Sequence, residues 1–68
     1  MKTNVELLDQ VIEDSGLKIS YLADKCGLSR AGFYQKKAGK TEWTASEISV
    51  LRSELNLTLT QTKDIFLL

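Results

Sequence analysis

The chain has 68 residues, enough for one small domain, and its 43% hydrophobic and 26% charged residues are an ordinary globular balance. One cysteine and no histidine exclude an internal disulfide, a zinc site of cysteine and histidine, and catalytic triads that need histidine. Nine basic and nine acidic residues give a net charge of zero, which by itself argues against a nucleic-acid ligand.

The first predicted helix covers about Asn4 to Ser15. Thr3 and Glu6 have the spacing of a capping box, in which Thr3 is the N-cap and the Glu6 side chain reaches back to it. Gly16 suits the left-handed conformation that ends a helix. The apolar face of this helix consists of Val5, Leu8, Val11 and Ile12.

Two short helices joined by a tight turn are predicted over about residues 19–38. The first has its apolar residues at helical spacing, and Gly27 ends it. Ser29 is a good N-cap for the next helix, about Arg30 to Ala38, which Gly39 stops. The apolar residues of the first of these helices are Ile19, Leu22, Ala23 and Cys26.

Two further helices are predicted in the last third of the chain. Thr44 and Glu47 have the spacing of a second capping box, which opens a fourth helix. Thr58 or Thr60 caps a fifth helix that ends near Phe66. No segment alternates with period two for long enough to predict a strand. The sequence therefore predicts an all-α domain of five short helices.

Three further features of the sequence, Trp43, Cys26 and the apolar end of the chain, are interpreted from their positions relative to these helices. Trp43 could stack near DNA, but an aromatic residue just before a capped helix favours a core anchor. Cys26 is interpreted as a small core residue. The apolar end of the chain either closes the core or forms a subunit contact, and we expect Ile65 and Phe66 to close the core. The last two residues, Leu67 and Leu68, form a dimer contact or are disordered.

The turn between the second and third helices has the outline of a helix-turn-helix. Ala23 is small enough for two helices to cross closely, and Gly27 supplies the positive φ of the turn. Leu28 and Phe33 then point into the core. The same spacing also fits a plain pair of antiparallel helices. The local charge favours DNA, because residues 17–43 carry a net charge of +4 while the flanking segments carry −3 and −1.

The segment L-A-D-K-C-G-L-S-R, followed by Gly39-Lys40-Thr41, resembles the Cro/repressor-type, XRE-like helix-turn-helix family of phages and bacteria. The later segments T-E-W-T-A-S-E-I and L-N-L-T, with a terminal I-F, resemble its small phage- and prophage-encoded members. The resemblance covers about Leu7 to Phe66. It implies a lambda-repressor-like fold in which the recognition helix, about residues 30–38, enters the major groove of DNA.

The resemblance also implies which residues contact DNA. Those that meet base edges in similar proteins correspond to Arg30, Ala31, Tyr34 and Gln35; Tyr34 could instead flank the core. Arginine bonds guanine and glutamine bonds adenine bidentately, and alanine contacts a thymine methyl group. The expected phosphate contacts are Lys18, Ser20, Ser29, Lys36, Lys37, Lys40 and Thr41.

The last turn of the recognition helix departs from the family pattern. Relatives usually place an apolar residue there, whereas this chain has Gln35-Lys36-Lys37-Ala38. We therefore expect the inner side of this helix to consist of Phe33, Tyr34, Ala38 and the lysine stems.

The sequence thus predicts a phage- or prophage-type transcriptional regulator, most simply a repressor. We expect it to bind pseudo-palindromic DNA as a homodimer, which forms either in solution or only on the DNA. The alternative is an antitoxin- or adaptor-like protein-interaction module with the same fold. We expect no enzymatic activity, cofactor, metal or small-molecule ligand. Without a secretory signal or an apolar run long enough to span a membrane, a cytoplasmic location is expected.

Overall fold

A computed structural model describes residues 3–68 of the chain. Within that range there are five helices and no strand, which confirms the predicted all-α class. The architecture is compatible with a small helix-turn-helix domain. The helices are α1 (Val5–Ser15), α2 (Ile19–Cys26), α3 (Arg30–Lys37), α4 (Ala45–Glu54) and α5 (Leu59–Phe66).

The N-cap of α1 is Asn4, so the prediction of Thr3 was wrong by one residue. The Asn4 side chain accepts a hydrogen bond from the Leu7 amide at 3.2 Å. The Asn4 amide itself donates to the carbonyl of Ile65 in α5 at 2.7 Å. This long-range bond holds Asn4 extended at the start of α1, and asparagine is as good an N-cap as serine or aspartate.

The N-caps of α3, α4 and α5 lie where the sequence predicts them. Ser29 caps α3, and Thr44 forms a complete capping box with Glu47 at the start of α4. Thr58 caps α5, which decides between the two threonines considered, and Gln61 completes its capping box. Each cap satisfies amide groups that the first turn of a helix leaves without a partner.

The α3 helix ends at Lys37, one residue before the predicted Ala38. Ala38 stays in the right-handed region, and Gly39 follows with φ of +81°. The amide of Lys40 then donates to the carbonyl of Gln35 at 3.0 Å. The left-handed glycine therefore lets the chain turn back and satisfy a carbonyl at the end of α3.

Every helix contributes one completely buried side chain to a single core. Trp43, in the segment before α4, packs edge-on against Phe33 at 5.3 Å and Phe66 at 5.9 Å between ring centroids. Trp43 is 9% exposed, and Ile65 and Phe66 are buried, which confirms all three predicted core positions. Among residues 3–68, the completely buried side chains are Leu8, Leu22, Phe33, Leu51 and Ile65.

The helix contacts leave one side of α3 open. The α1 helix contacts α3 and α5, α2 contacts α3 and α4, and α4 also contacts α5. Phe33 is the one buried residue of α3. The neighbouring helices therefore hold α3 by one side, and most of its other side chains face outward.

Candidate nucleic-acid interface

The turn between α2 and α3 depends on a left-handed glycine. Gly27 has φ of +71°, and a Cβ atom added there would meet nothing within 4 Å. Its requirement for glycine is therefore conformational rather than a matter of space. The Leu28 amide donates to the carbonyl of Ala23 at 2.9 Å, and Leu28 packs against the core. Ala23 is 2% exposed, as expected for a small residue beneath a close contact.

The first turn of α3 is tightly built. The Ser29 hydroxyl oxygen accepts from the Gly32 amide at 3.0 Å. A Cβ atom on Gly32 would lie 3.2 Å from that oxygen, so a larger residue would crowd the cap. Because the hydroxyl oxygen accepts in this bond, its proton can still be donated to another group, such as a phosphate.

The four predicted base-reading residues lie together on the exposed side of α3. Tyr34 is 46% exposed, which corrects the expectation that it forms part of the inner side of the helix. Ala38 is exposed as well, so Phe33 alone fills the core from α3. A helix repeats about every 3.6 residues, which brings four positions to one side. These exposed residues are Arg30, Ala31, Tyr34 and Gln35.

The predicted phosphate contacts divide into exposed and internally paired residues. Lys18 precedes α2 as its N-cap residue, and its side chain makes no capping bond. It can therefore reach outward without breaking a contact. Lys18 is exposed together with Ser20, Ser29, Lys40 and Thr41.

Lys36 is turned toward α4 and is internally paired. Its Nζ lies 2.8 Å from Oε1 of Glu47 and 2.9 Å from the carbonyl oxygen of Glu42. Its side chain is 16% exposed, and that of Glu47 is 11% exposed. Lys36 therefore holds α3 against the start of α4, and its predicted role as a phosphate contact loses support.

The charge of Glu47 is stabilised by the same contacts. Burial raises the pKa of the Glu47 carboxyl group, but hydrogen bonds from Lys36 and Thr44 and the Lys36 charge outweigh that effect. The net result is a pKa below the ordinary glutamate value. Glu47 thus serves both the capping box of α4 and the ion pair to α3.

Lys37 is paired with a residue of α1. Its ammonium contacts the Asp9 carboxylate and lies 5.7 Å from the centroid of the Tyr34 ring. The Lys37 side chain is 18% exposed, whereas that of Asp9 is 48% exposed. The aliphatic part of the Lys37 side chain is therefore partly covered, as we expected for the lysines in the last turn of α3. Asp9 was not among the predicted site residues.

A concave surface of about 320 Å³ adjoins the exposed side of α3. Its walls combine aliphatic and aromatic carbon with two lysines, of which Lys37 is paired with Asp9. It lies between the start of α1 and the end of α3. The lining residues are Val5, Tyr34, Gln35, Lys37, Ala38 and Lys40.

Outside the concave surface, Cys26 and Tyr21 have raised pKa values that follow from burial and from a hydrogen bond. Burial, with a smaller effect of Glu47, raises the pKa of the Cys26 thiol. Cys26 was predicted to be a core residue, and it is partly buried and packs against the core. The Tyr21 hydroxyl donates to Glu54 at 2.7 Å, and this hydrogen bond raises the pKa of Tyr21. Among residues 3–68, no group of three or more histidine, cysteine or acidic side chains is arranged to hold a metal ion.

The last two residues lie on the surface. Leu67 is 47% exposed and Leu68 is 64% exposed, and Leu67 adopts a left-handed conformation that ends α5.

None of the helices between residues 3 and 68 has the length and hydropathy to span a lipid bilayer. In comparisons with known proteins, no family model, curated protein or solved structure matches the chain.

Proposed function

We propose that this protein binds double-stranded DNA through α3 in the major groove, as a phage- or prophage-type transcriptional regulator that represses its target. The observation that carries the proposal is the exposed face formed by Arg30, Ala31, Tyr34 and Gln35 on a helix with one buried side chain, Phe33. A helix held by one side with polar side chains facing outward is what a recognition helix requires.

The chemistry of this face suits base readout. The guanidinium of Arg30 can bond both acceptors of a guanine, and the Gln35 amide can bond both groups of an adenine in the major groove. Arg30 lies in the first turn of α3, where the helix dipole disfavours a positive charge. A negatively charged ligand nearby would offset this disadvantage.

The cations that remain for phosphate are few. Lys36 and Lys37 are paired with carboxylates, whereas Lys18 and Lys40 are exposed without such a partner in the part of the chain that the structure describes. Lys18 and Lys40 give each copy about two phosphate contacts, which corresponds to a slope of about −2 in log K against log salt. A second copy would roughly double this slope.

Two copies on one duplex are part of the proposal. A single recognition module buries only about 600–1,000 Å² of protein surface on DNA. Two copies on half-sites about 34 Å apart would supply the affinity that one copy lacks. Leu67 and Leu68 are the residues we assign to their contact.

The proposal is tested by selecting duplexes from a random library and titrating the protein with the selected duplex at several salt concentrations. We expect binding with a steep negative salt slope and a clear preference over a scrambled duplex. Arg30→Ala should weaken binding to the selected duplex by about 1–3 kcal/mol and relax one base position. The matched control is Arg52→Ala on α4, which removes the same charge from an exposed site.

Two results would contradict DNA recognition. One is the absence of binding to any duplex at low salt; the other is a salt slope near zero with no preferred sequence. Unchanged binding by Arg30→Ala would instead show that α3 is not the reading helix.

A protein-interaction module is the second candidate. Three leucines outside the core favour it, because Leu59, Leu67 and Leu68 are 57%, 47% and 64% exposed. Apolar side chains of this kind are common at protein interfaces. This candidate predicts the first contradictory result above, no binding to any duplex, together with capture of a defined partner.

A further inference from the structure

Lys37 lies at the border of the proposed DNA-binding face. It follows Tyr34 by one helical turn and shares the concave surface with Tyr34, Gln35 and Lys40. A DNA backbone that passes the end of α3 would place phosphate groups beside this surface. Charge complementarity makes the Lys37 ammonium a natural partner for one of them.

That ammonium is already occupied in the free protein. Asp9 on α1 contacts it, and the Tyr34 ring lies 5.7 Å away on α3. The three groups come from two helices that pack against each other. The positive charge of Lys37 is therefore neutralised at the point where an incoming phosphate would meet it.

The Lys36–Glu47 and Lys37–Asp9 ion pairs differ in how easily a phosphate could replace the carboxylate. The Glu47 carboxylate is 11% exposed and is held in the capping box of α4, so its charge would stay largely buried and lose its cationic partner if Lys36 left. The Asp9 side chain is 48% exposed and has no capping role. Exposed pairs of this kind are weak and are screened by salt.

We propose that Asp9 lowers the DNA affinity of this protein by competing with a backbone phosphate for the Lys37 ammonium; this inference rests on the proposed DNA binding. Asp9 acts by neutralising the Lys37 ammonium, so that a phosphate must displace the carboxylate before it can bind there. Because phosphate contacts carry no base information, Asp9 reduces the affinity for all sequences by the same factor.

The test compares Asp9→Asn with the wild-type protein on the selected duplex and on a scrambled duplex of about 20 base pairs. Asparagine keeps the size of the side chain and removes its charge. For each bound copy we expect about two- to fivefold tighter binding to both duplexes, since an exposed ion pair is released. The salt slope should become steeper by about 0.9 for each copy, because one more phosphate is neutralised.

Two controls separate competition for Lys37 from a general change of charge. Glu13→Gln removes the same charge from an exposed position one turn further along α1 and should change the affinity less than Asp9→Asn does. In a Lys37→Gln background, Asp9→Asn should have no further effect. Lys37→Gln alone should weaken binding by less than Lys40→Gln does. Thermal unfolding of each variant confirms that it is folded.

The outcomes are distinguishable. If the wild-type protein binds DNA but Asp9→Asn and Glu13→Gln change the affinity equally, competition for Lys37 is wrong and the proposed function stands. The same holds if Asp9→Asn still tightens binding without Lys37. If neither the wild-type protein nor Asp9→Asn binds any duplex, both proposals are wrong.

Discussion

Lys36 and Lys40 are four residues apart in the same basic segment, yet their ammonium groups have opposite surroundings. The Lys36 ammonium lies between Glu47 and the carbonyl of Glu42, whereas Lys40 is exposed beside the concave surface. A lysine whose charge is neutralised inside the protein releases no further counterions when it meets DNA. Lys36 and Lys40 therefore form a matched pair of variants for measuring which lysines contribute to the salt dependence of the proposed DNA binding.

We predict that Lys40→Gln weakens binding to every duplex alike and makes the salt slope shallower by about 0.9 for each copy. Lys36→Gln should leave the slope unchanged and instead lower the free energy of unfolding by about 1–2 kcal/mol, because Glu47 loses a charged hydrogen-bond donor. Fluorescence anisotropy at several salt concentrations measures the first effect, and denaturant unfolding measures the second. Equal changes in slope for both variants would contradict this division.

At the scale of an element, the start of α4 combines a helix cap with a tertiary ion pair. Glu47 accepts from the Thr44 amide at 2.9 Å and from Lys36 at 2.8 Å through the same oxygen, Oε1. Its pKa lies below the ordinary value, so the ionised form is favoured by folding. The stability that Glu47 contributes is therefore fully present above the unfolded pKa.

We predict that Glu47→Gln is less stable than the wild-type protein by about 1–2 kcal/mol at pH 7, because glutamine can keep the cap but not the ion pair. The difference should shrink as the pH falls below about 4.3, the unfolded glutamate value, and through the lower pKa of the folded state. Urea unfolding between pH 7 and pH 3 measures it. A difference that stays constant over this range would show that the charge of Glu47 does not stabilise the fold.

At the scale of the whole molecule, the excess positive charge of residues 17–43 is partly neutralised by carboxylates from other helices. Residues 17–43 carry a net charge of +4, but Asp9 and Glu47 from outside this segment neutralise two of its lysines. The exposed cations are then too few for strong binding by one copy. The proposed interface therefore depends more on two copies and on base contacts than a strongly basic surface would.

We predict that the protein is a monomer at micromolar concentration and that two copies bind one selected duplex. Leu67 and Leu68 alone fall far short of the roughly 800 Å² per partner that a stable interface buries. Replacing both with serine should reduce cooperativity on DNA, whereas Leu59→Ser removes an exposed leucine at the other end of α5 and serves as the control. Light scattering and titrations with single half-sites measure these effects. A stable dimer without DNA would contradict the prediction.

The helices and most of their ends could be predicted from local patterns. The cap bonds of Ser29, Thr44 and Thr58 join residues three positions apart, so short sequence segments contain all the information they need. Thr3 was the exception, because the Asn4 amide bonds a carbonyl of α5 that no local pattern reveals. The expectation that Tyr34 lies on the inner side of α3 was also wrong, since the aromatic residue of α3 that packs against Trp43 is Phe33.

The sequence by itself determined the five helices and the turn at Gly27, because periodicity, capping and turn conformation act over a few residues, whereas the candidate reading residues of α3 come from the family resemblance. The tertiary structure decided which charges are free. Lys36 meets Glu47 across 11 positions of the chain, and Lys37 meets Asp9 across 28. Such contacts depend on how whole helices pack, and this packing separates the exposed Lys40 from its paired neighbours.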